Sequence, residues 1–422
     1  MWARSRIRSN AVKITDRECH VLRELARRVA EIAALPIQAE RVRLWKDHNS
    51  LKPHRPMVLA FPEGAWRELV PEGELECEHE ELRVWETALR QTIFHHERIP
   101  DDHPVTRTFN VGWVVRRSGY GLEAEIHRTD PVGAYRWEAP VKTAADLKRL
   151  HASTVEIDRD ESARKFELAE EVLGDILQVR PFGGFFWSLG LTGTLIRLRG
   201  LDRMMMDMYD EPQLLHELMA LLRDSTLSEL DTYEREGVLT LNNGPTDYVG
   251  SGGLGCTDEL PAEDFDGRVR CKDLWVLGES QEFVGVGPQQ FYEFALQYQL
   301  PLLDRFGLVC YGCCEPLDRK FDLIIKHIPK LRRVSVAPWC DRALAAEKLA
   351  DRYIYSWKPN PSMICRPTVD YDAVEKVTRE TIETARGCCL EMVMKDTHTV
   401  HGDAERFTRW SEIASRLAAE AA

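Results

Sequence analysis

Side chains able to do chemistry are gathered in short polar stretches that follow apolar runs. Tyr311-Gly312-Cys313-Cys314-Glu315 follows one run, Lys395-Asp396-Thr397-His398 another, and Glu279-Ser280-Gln281-Glu282 a third. Thiolate, imidazole and carboxylate are the ligands of a catalytic zinc, which takes three or so protein donors and keeps one position open. Soft thiolate with imidazole suits zinc better than magnesium or calcium. Cys313 or Cys314, with His398 or Asp396 and Glu282 or Glu315, supplies such a set. A thiol or hydroxyl bound to that metal is deprotonated at neutral pH, the activation that methyl transfer to or from sulfur or oxygen needs. The spacing is not a self-sufficient metal motif: no doubled CxxC and no HExxH is present. Buried thiols with a satisfied loop histidine are the competing reading.

Further polar groups are suited to orienting a substrate. Glu63 and Glu68 stand in Pro62-Glu-Gly-Ala-Trp-Arg-Glu, which reads equally as a capped helix start. Asn243 and Lys358 each follow an apolar run. Trp66 and Trp339 are placed either to stack on a flat ligand or to pack. Ser251-Gly-Gly-Leu-Gly lacks the Lys-Ser/Thr ending of a phosphate loop. Lys395 beside Asp396 reads as a surface ion pair of little energetic weight.

Positioning these stretches requires strands, and the sequence offers eight short apolar runs rich in β-branched and aromatic residues: 57–61, 176–181, 238–242, 274–277, 307–311, 331–336, 353–357 and 389–394. Amphipathic helical stretches lie between them, at 162–173, 211–234, 288–306, 317–328, 343–350 and 371–386. Such alternation predicts an α/β fold with a parallel sheet, and eight repeats favour a closed (β/α)8 TIM-type barrel over an open doubly wound sheet. The barrel is expected over 51–422, behind an N-terminal helical extension over 1–50. Two segments depart from the repeat. Residues 107–137 predict an inserted β-hairpin turning at Ser118-Gly-Tyr-Gly. Residues 245–270 are polar and Gly-rich, and a loop of that length is expected to have a task, with 249–255 closing over a substrate. Barrel chemistry sits at the C-terminal strand ends, where all the groups above fall.

Composition narrows the class further. Of 422 residues, 44% are hydrophobic and 30% charged, with a net charge of −13, so a globular core is expected and a nucleic-acid surface is not. The basic N-terminus lacks the apolar run of a secretory signal, and no stretch approaches about 18 apolar residues. A cytoplasmic address with no membrane partner is therefore expected, and the eleven cysteines read as reduced thiols.

Two helical segments resemble the uroporphyrinogen decarboxylase superfamily. One is Arg197-Leu-Arg-Gly-Leu-Asp-Arg-Met-Met-Met-Asp-Met-Tyr-Asp-Glu-Pro-Gln-Leu-Leu-His-Glu-Leu-Met; the other is Val286-Gly-Pro-Gln-Gln-Phe-Tyr-Glu-Phe-Ala-Leu-Gln-Tyr-Gln-Leu-Pro-Leu-Leu. The likeness covers roughly residues 55–418, by landmarks of helix and loop, and implies a TIM-type barrel. That superfamily contains metal-free porphyrinogen decarboxylases and zinc-dependent methyltransferases that work with corrinoid proteins. Phe61-Pro-Glu-Gly-Ala-Trp-Arg-Glu replaces the Arg-rich stretch by which the decarboxylases hold carboxylates, which argues against a porphyrinogen substrate. Of the methyltransferase zinc ligands, Cys313 matches one position. Tyr311 stands where a His is usual, and the late Cys has no counterpart beyond nearby His398 or Asp396.

The resemblance implies a methyltransferase that passes a methyl group from a small methylated compound, such as an O-methyl ether, to a corrinoid cofactor on a partner protein. Cys313, His398 and Glu282 would hold zinc, with Cys314, Glu315 and Asp396 as alternates. Glu63, Asn243 and Lys358 would orient substrate. No Asp-x-His-x-x-Gly corrinoid-carrier stretch is present. The rivals are a metal-free decarboxylase or lyase, binding a small carboxylate through Lys358, Arg67 or Arg197, and a non-catalytic binding barrel.

Overall fold

The computed structural model describes residues 14–128 and 135–421. The basic N-terminal stretch and residues 129–134 of the 107–137 segment lie outside them. Seven of the eight expected runs contain strands: β1 (Met57–Ala60), β3 (Gln178–Phe182), β4 (Trp275–Gly278), β5 (Leu308–Tyr311), β6 (Leu331–Val336), β7 (Ile354–Trp357) and β8 (Cys389–Met394), with β2 (Thr108–Gly112) between the first two. Six of them form one parallel sheet in the order β1-β8-β7-β6-β5-β4, with helices in the connections. β2 and β3 make a separate parallel pair. The chain is thus a mixed α/β protein.

The run at 238–242 is not a strand. Its side chains take over the pairing. The Asn242 amide donates to the Trp275 carbonyl at 3.0 Å and accepts from the Trp275 N–H at 2.9 Å, tying the run to β4. Toward β3, Thr240 Oγ1 donates to the Pro181 carbonyl at 3.0 Å and accepts from Gly183 N–H at 2.9 Å. A polar side chain that satisfies backbone groups in this way competes with a regular ladder.

The expected hairpin also pairs differently. Val115–Arg117 joins Val155–Ile157, and Glu125–Arg128 joins Tyr135–Glu138, both antiparallel. The first half of the segment, β2, is drawn into parallel pairing with β3, because Phe109 and Val111 bury against Leu173, Ile176 and Leu177. Local alternation could not identify those partners.

The N-terminal helices are α1 (Asp16–Ala33) and α2 (Pro36–Asn49). Thr15, not Asp16, caps α1, in a capping box with Glu18. The buried stripe of Leu22, Ala26, Val29 and Ile32 packs on α3 (Glu80–Arg98) through Leu82, Trp85 and Leu89. α2 has a different task. Its Leu44 and Trp45 form a small core with Met57, Leu59 and Val393, and its His48 meets Cys389, so it reaches the N-terminal end of β1 and β8. The extension is built into the fold.

Side chains alternate across each strand. On β8, Leu390, Met392 and Met394 enter the large core under the helices, while Val393 joins the small core with Trp45 and Leu254. Cys389, Glu391 and Lys395 share that second face by register. Glu391 is fully buried there and pairs with Arg333 of β6 at 3.0 Å across the intervening β7, whose Ser356 hydroxyl donates to the same carboxylate. The sheet curls around this row, since Cys314 and Asp396, which follow β5 and β8 three strand spacings apart, meet at 3.3 Å.

The Gly-rich segment fills the curl. Residues 249–256 are buried, and a short antiparallel pair, Tyr248–Val249 with Gly253–Leu254, stiffens the segment. A Cβ on Gly253 would lie 2.5 Å from the Arg333 guanidinium, and one on Gly252 2.7 Å from Val393. Glycine is needed for this close approach. The expectation of a loop closing over substrate is corrected: the segment is a plug against the strands. Among the described residues no helix is long and apolar enough to cross a membrane.

Candidate active site

Each parallel strand delivers its following residues to the same end of the sheet. From β5 come Cys313, Cys314 and Glu315, and from β8 come Lys395 and Asp396. The tip of the Gly-rich segment adds Ser251. Cys313 Sγ lies 3.2 Å from Ser251 Oγ, 3.5 Å from Cys314 Sγ and 4.0 Å from Lys395 Nζ. Cys314 Sγ is 3.3 Å from Asp396 Oδ2. Lys395 also donates to Ser251 at 3.1 Å and faces Glu63 and Asp396 at 3.9 and 3.5 Å.

Lys395 is only 5% exposed, so its pairing with Asp396 is not the surface contact expected from their adjacency. An ammonium buried beside a thiol favours the thiolate. Cys313 accordingly titrates below the ordinary cysteine range, through the hydrogen bond from Cys314, against burial, with Lys395 and Ser251 adding to the effect. Cys314 moves the opposite way, because it donates to Cys313 and is itself buried. Of the pair, Cys313 is the thiol that ionises first, while Cys314 keeps its proton.

Behind Cys313 stands a second acidic layer. Glu315, fully buried, accepts from the backbone N–H of Ser280 at 2.9 Å and of Cys313 at 2.8 Å, which holds the turn after β5 against the end of β4. Burial, and then the neighbouring charges of Glu315 and Glu282, push Glu279 up to about 8. A carboxyl so placed keeps its proton at neutral pH and can serve as a general acid. Tyr311, where the resemblance leads one to look for a ligand, is fully buried and donates to Gln299 at 2.8 Å.

The remaining expected residues are employed otherwise. Glu282 accepts from Thr192 Oγ1 at 2.6 Å. Asn243 donates to the carbonyls of Thr257 and Leu260 at 3.3 and 2.6 Å, anchoring the loop. Lys358 is buried and donates to Ser356 beside Glu391, away from solvent. Arg67 is exposed and reaches the Gly64 carbonyl at 3.2 Å. Glu63 accepts from the Asp396 N–H at 2.7 Å, so it fixes the backbone at the mouth. His398 is exposed, with Nδ1 close enough to Gly64 that a Cβ there would lie 2.8 Å away.

Cys313, Cys314 and Asp396 are donors of the type zinc takes, but Cys314 alone touches the other two, and the three do not all lie within 4.8 Å of one another. Cys313, His398 and Glu282 do not converge as a ligand set. Among the described residues, the group of three donors whose atoms all lie within 4.8 Å of one another is His48, His54 and Cys389, and this group can hold a metal ion. It sits at the opposite end of the sheet, since Cys389 begins β8 while Lys395 follows it. The sequence signal for it was weak: His48 and His54 lie six positions apart on a helix end and a connector, with the thiol more than three hundred residues away.

No family model matches this chain, and no curated protein matches it in sequence.

Proposed function

We propose that the chain is a methyltransferase of the uroporphyrinogen decarboxylase superfamily, a (β/α)8 barrel that moves a methyl group from a small methylated compound to a corrinoid on a partner protein. The observation that carries this reading is the cysteine pair at the strand ends, with Cys313, the first to ionise, held between Lys395, Ser251 and Cys314. The curl of the six-stranded sheet around a buried polar row supports the barrel. Of the expected ligands, Cys313 and Cys314 lie together and Asp396 touches Cys314 alone, so zinc there would draw Asp396 inward; when bound it would polarise the oxygen or sulfur that loses its methyl group. Lys395 and Ser251 favour the charged state of Cys313. Glu279, still protonated near neutral pH, donates the proton that the leaving oxygen requires. Ordered contacts from Glu63 to the Asp396 backbone keep the mouth in register.

One observation favours a second reading. Lys395 is a buried cation and Glu279 a buried acid at the same end of the sheet, groups that suit a metal-free decarboxylase or lyase acting on a small carboxylate. The test is to supply zinc-grown protein with a panel of methoxylated small compounds and reduced cobalamin, and to follow methylcobalamin by absorbance. Formation that disappears in Cys313→Ala supports methyl transfer. Absence of methylcobalamin, with carbon dioxide released from a carboxylate panel after chelation, replaces it with the second reading.

A further inference from the structure

At the end of the sheet opposite the proposed catalytic mouth, His48 closes α2, His54 lies in the connector to β1, and Cys389 opens β8. His48 Nδ1 is 3.1 Å from His54 Nε2 and 3.3 Å from Cys389 Sγ. Two nitrogens and a sulfur bound tetrahedrally to one zinc are separated by about 3.3 Å (N to N) and about 3.6 Å (N to S), given bonds of about 2.0 and about 2.3 Å. The observed spacing already approaches this.

Hydrogen-bond bookkeeping adds an independent argument. His48 Nε2 faces the Glu391 carboxylate at 2.9 Å, and that carboxylate is already the partner of Arg333, so Nε2 carries the hydrogen. His54 Nδ1 bonds the Arg55 carbonyl, which can only accept, so the hydrogen is on Nδ1 there. His48 Nδ1, His54 Nε2 and Cys389 Sγ then share a single hydrogen among three donor atoms, and a metal ion can take its place. The Cys389 thiol has one hydrogen, and it also lies 3.4 Å from the His48 carbonyl. Lone pairs aimed at a common point, each ring oriented from behind by a carboxylate or carbonyl, are how proteins prepare imidazoles for a metal.

A cavity of about 490 Å³, lined by Lys52, His54, Arg386 and Cys389, opens against the group. It gives an ion a route in and room for a fourth ligand from solvent. We propose that His48, His54 and Cys389 form a His2Cys zinc site that pins α2 and the connector to the base of β8, with Glu391 and the Arg55 carbonyl as its supporting shell. The site is separate from the cysteine pair at the mouth and stands whether or not that pair binds metal.

The test is cobalt(II) titration of the chelator-treated full chain, reading the thiolate-to-cobalt absorption band, with zinc-dependent melting temperature as a second measurement. One equivalent of cobalt with a thiolate band is expected to vanish in Cys389→Ser and in His54→Gln, and to survive in the Cys313→Ser, Cys314→Ser double variant. Zinc is expected to raise the melting temperature of the wild type and of the double variant, but not of the double variant that also carries Cys389→Ser. Absence of any band in the wild type, or a band that persists undiminished in Cys389→Ser, overturns the proposal. Circular dichroism of each variant identifies any that has not folded, and His54→Gln, at a half-buried connector position, then decides alone.

Discussion

Cys314 Sγ and Asp396 Oδ2 are 3.3 Å apart, although the strands that carry them, β5 and β8, are separated in the sheet by β6 and β7. In a flat sheet three strand spacings amount to about 14 Å. Curling brings the two ends together, and it places two cysteine sulfurs, two carboxylates and a buried ammonium in one small volume. The chemistry proposed for the chain depends on that convergence.

Cys313 is expected to be the thiol that reacts at the lower pH. Alkylation by iodoacetamide, followed by peptide mass spectrometry across pH, should label Cys313 with a midpoint below the ordinary cysteine value of 9.0. Cys314 should label only above it. Lys395→Met should move the Cys313 midpoint up by roughly one to two pH units, because the thiolate loses its cation. Identical profiles for the two cysteines would refute the assignment.

Glu279 makes stability depend on pH in a defined direction. Its pKa is raised from 4.5 to about 8 by burial and by neighbouring carboxylates, so the folded chain holds a proton that the unfolded chain releases. Its stabilising contribution is complete below about 4.5 and is lost as pH rises toward 8. Urea denaturation at several pH values should show Glu279→Gln flattening the decline between those limits; an unchanged slope would remove Glu279 as its source.

Glu391 is the anchor of the interior. It meets Arg333 at 3.0 Å and His48 at 2.9 Å, with all three fully or almost fully buried. Removing the carboxylate leaves Arg333 a buried charge and His48 Nε2 without its acceptor, so Glu391→Ala should cost about 3–5 kcal/mol in chemical denaturation. Glu391→Gln, which retains an acceptor, should cost less.

Gly252 has φ +99° and faces Val393 at a distance no methyl group can occupy. Gly252→Ala should therefore destabilise the fold by about 1–3 kcal/mol from backbone strain alone. Gly267, at a comparable φ but in open space, is the matched control for strain without a clash. Equal losses at the two positions would show that the plug is loosely packed.

The sequence was legible where its signals are local. Seven of the eight apolar runs contain strands, since short β-branched segments bounded by polar turns have few other places to go. The helices over 159–173, 212–236 and 371–384 follow from 3.6-residue periodicity in the same way. Position along a parallel strand also identified Cys313, Cys314, Glu315 and Asp396 as neighbours at one end, because every strand of such a sheet points the same way.

What the sequence left open depends on partners distant along the chain. Whether Lys395 is a surface ion or a buried cation rests on Ser251 and Glu63, which lie 144 and 332 positions away. Asn243 and Asn242 carry the same amide, yet one anchors a loop and the other replaces strand pairing. Glycines at 250–253 read as mobility in sequence and serve close packing in the fold, since the absent Cβ is informative only once a neighbour stands where it would be. His48, His54 and Cys389 meet because α2 folds under the first and last strands of the sheet. Local composition fixed the elements of this protein; the curl of its sheet decided which side chains share a site, because Coulomb attraction, ligand geometry and burial act over a few ångströms of space and not over positions in a chain.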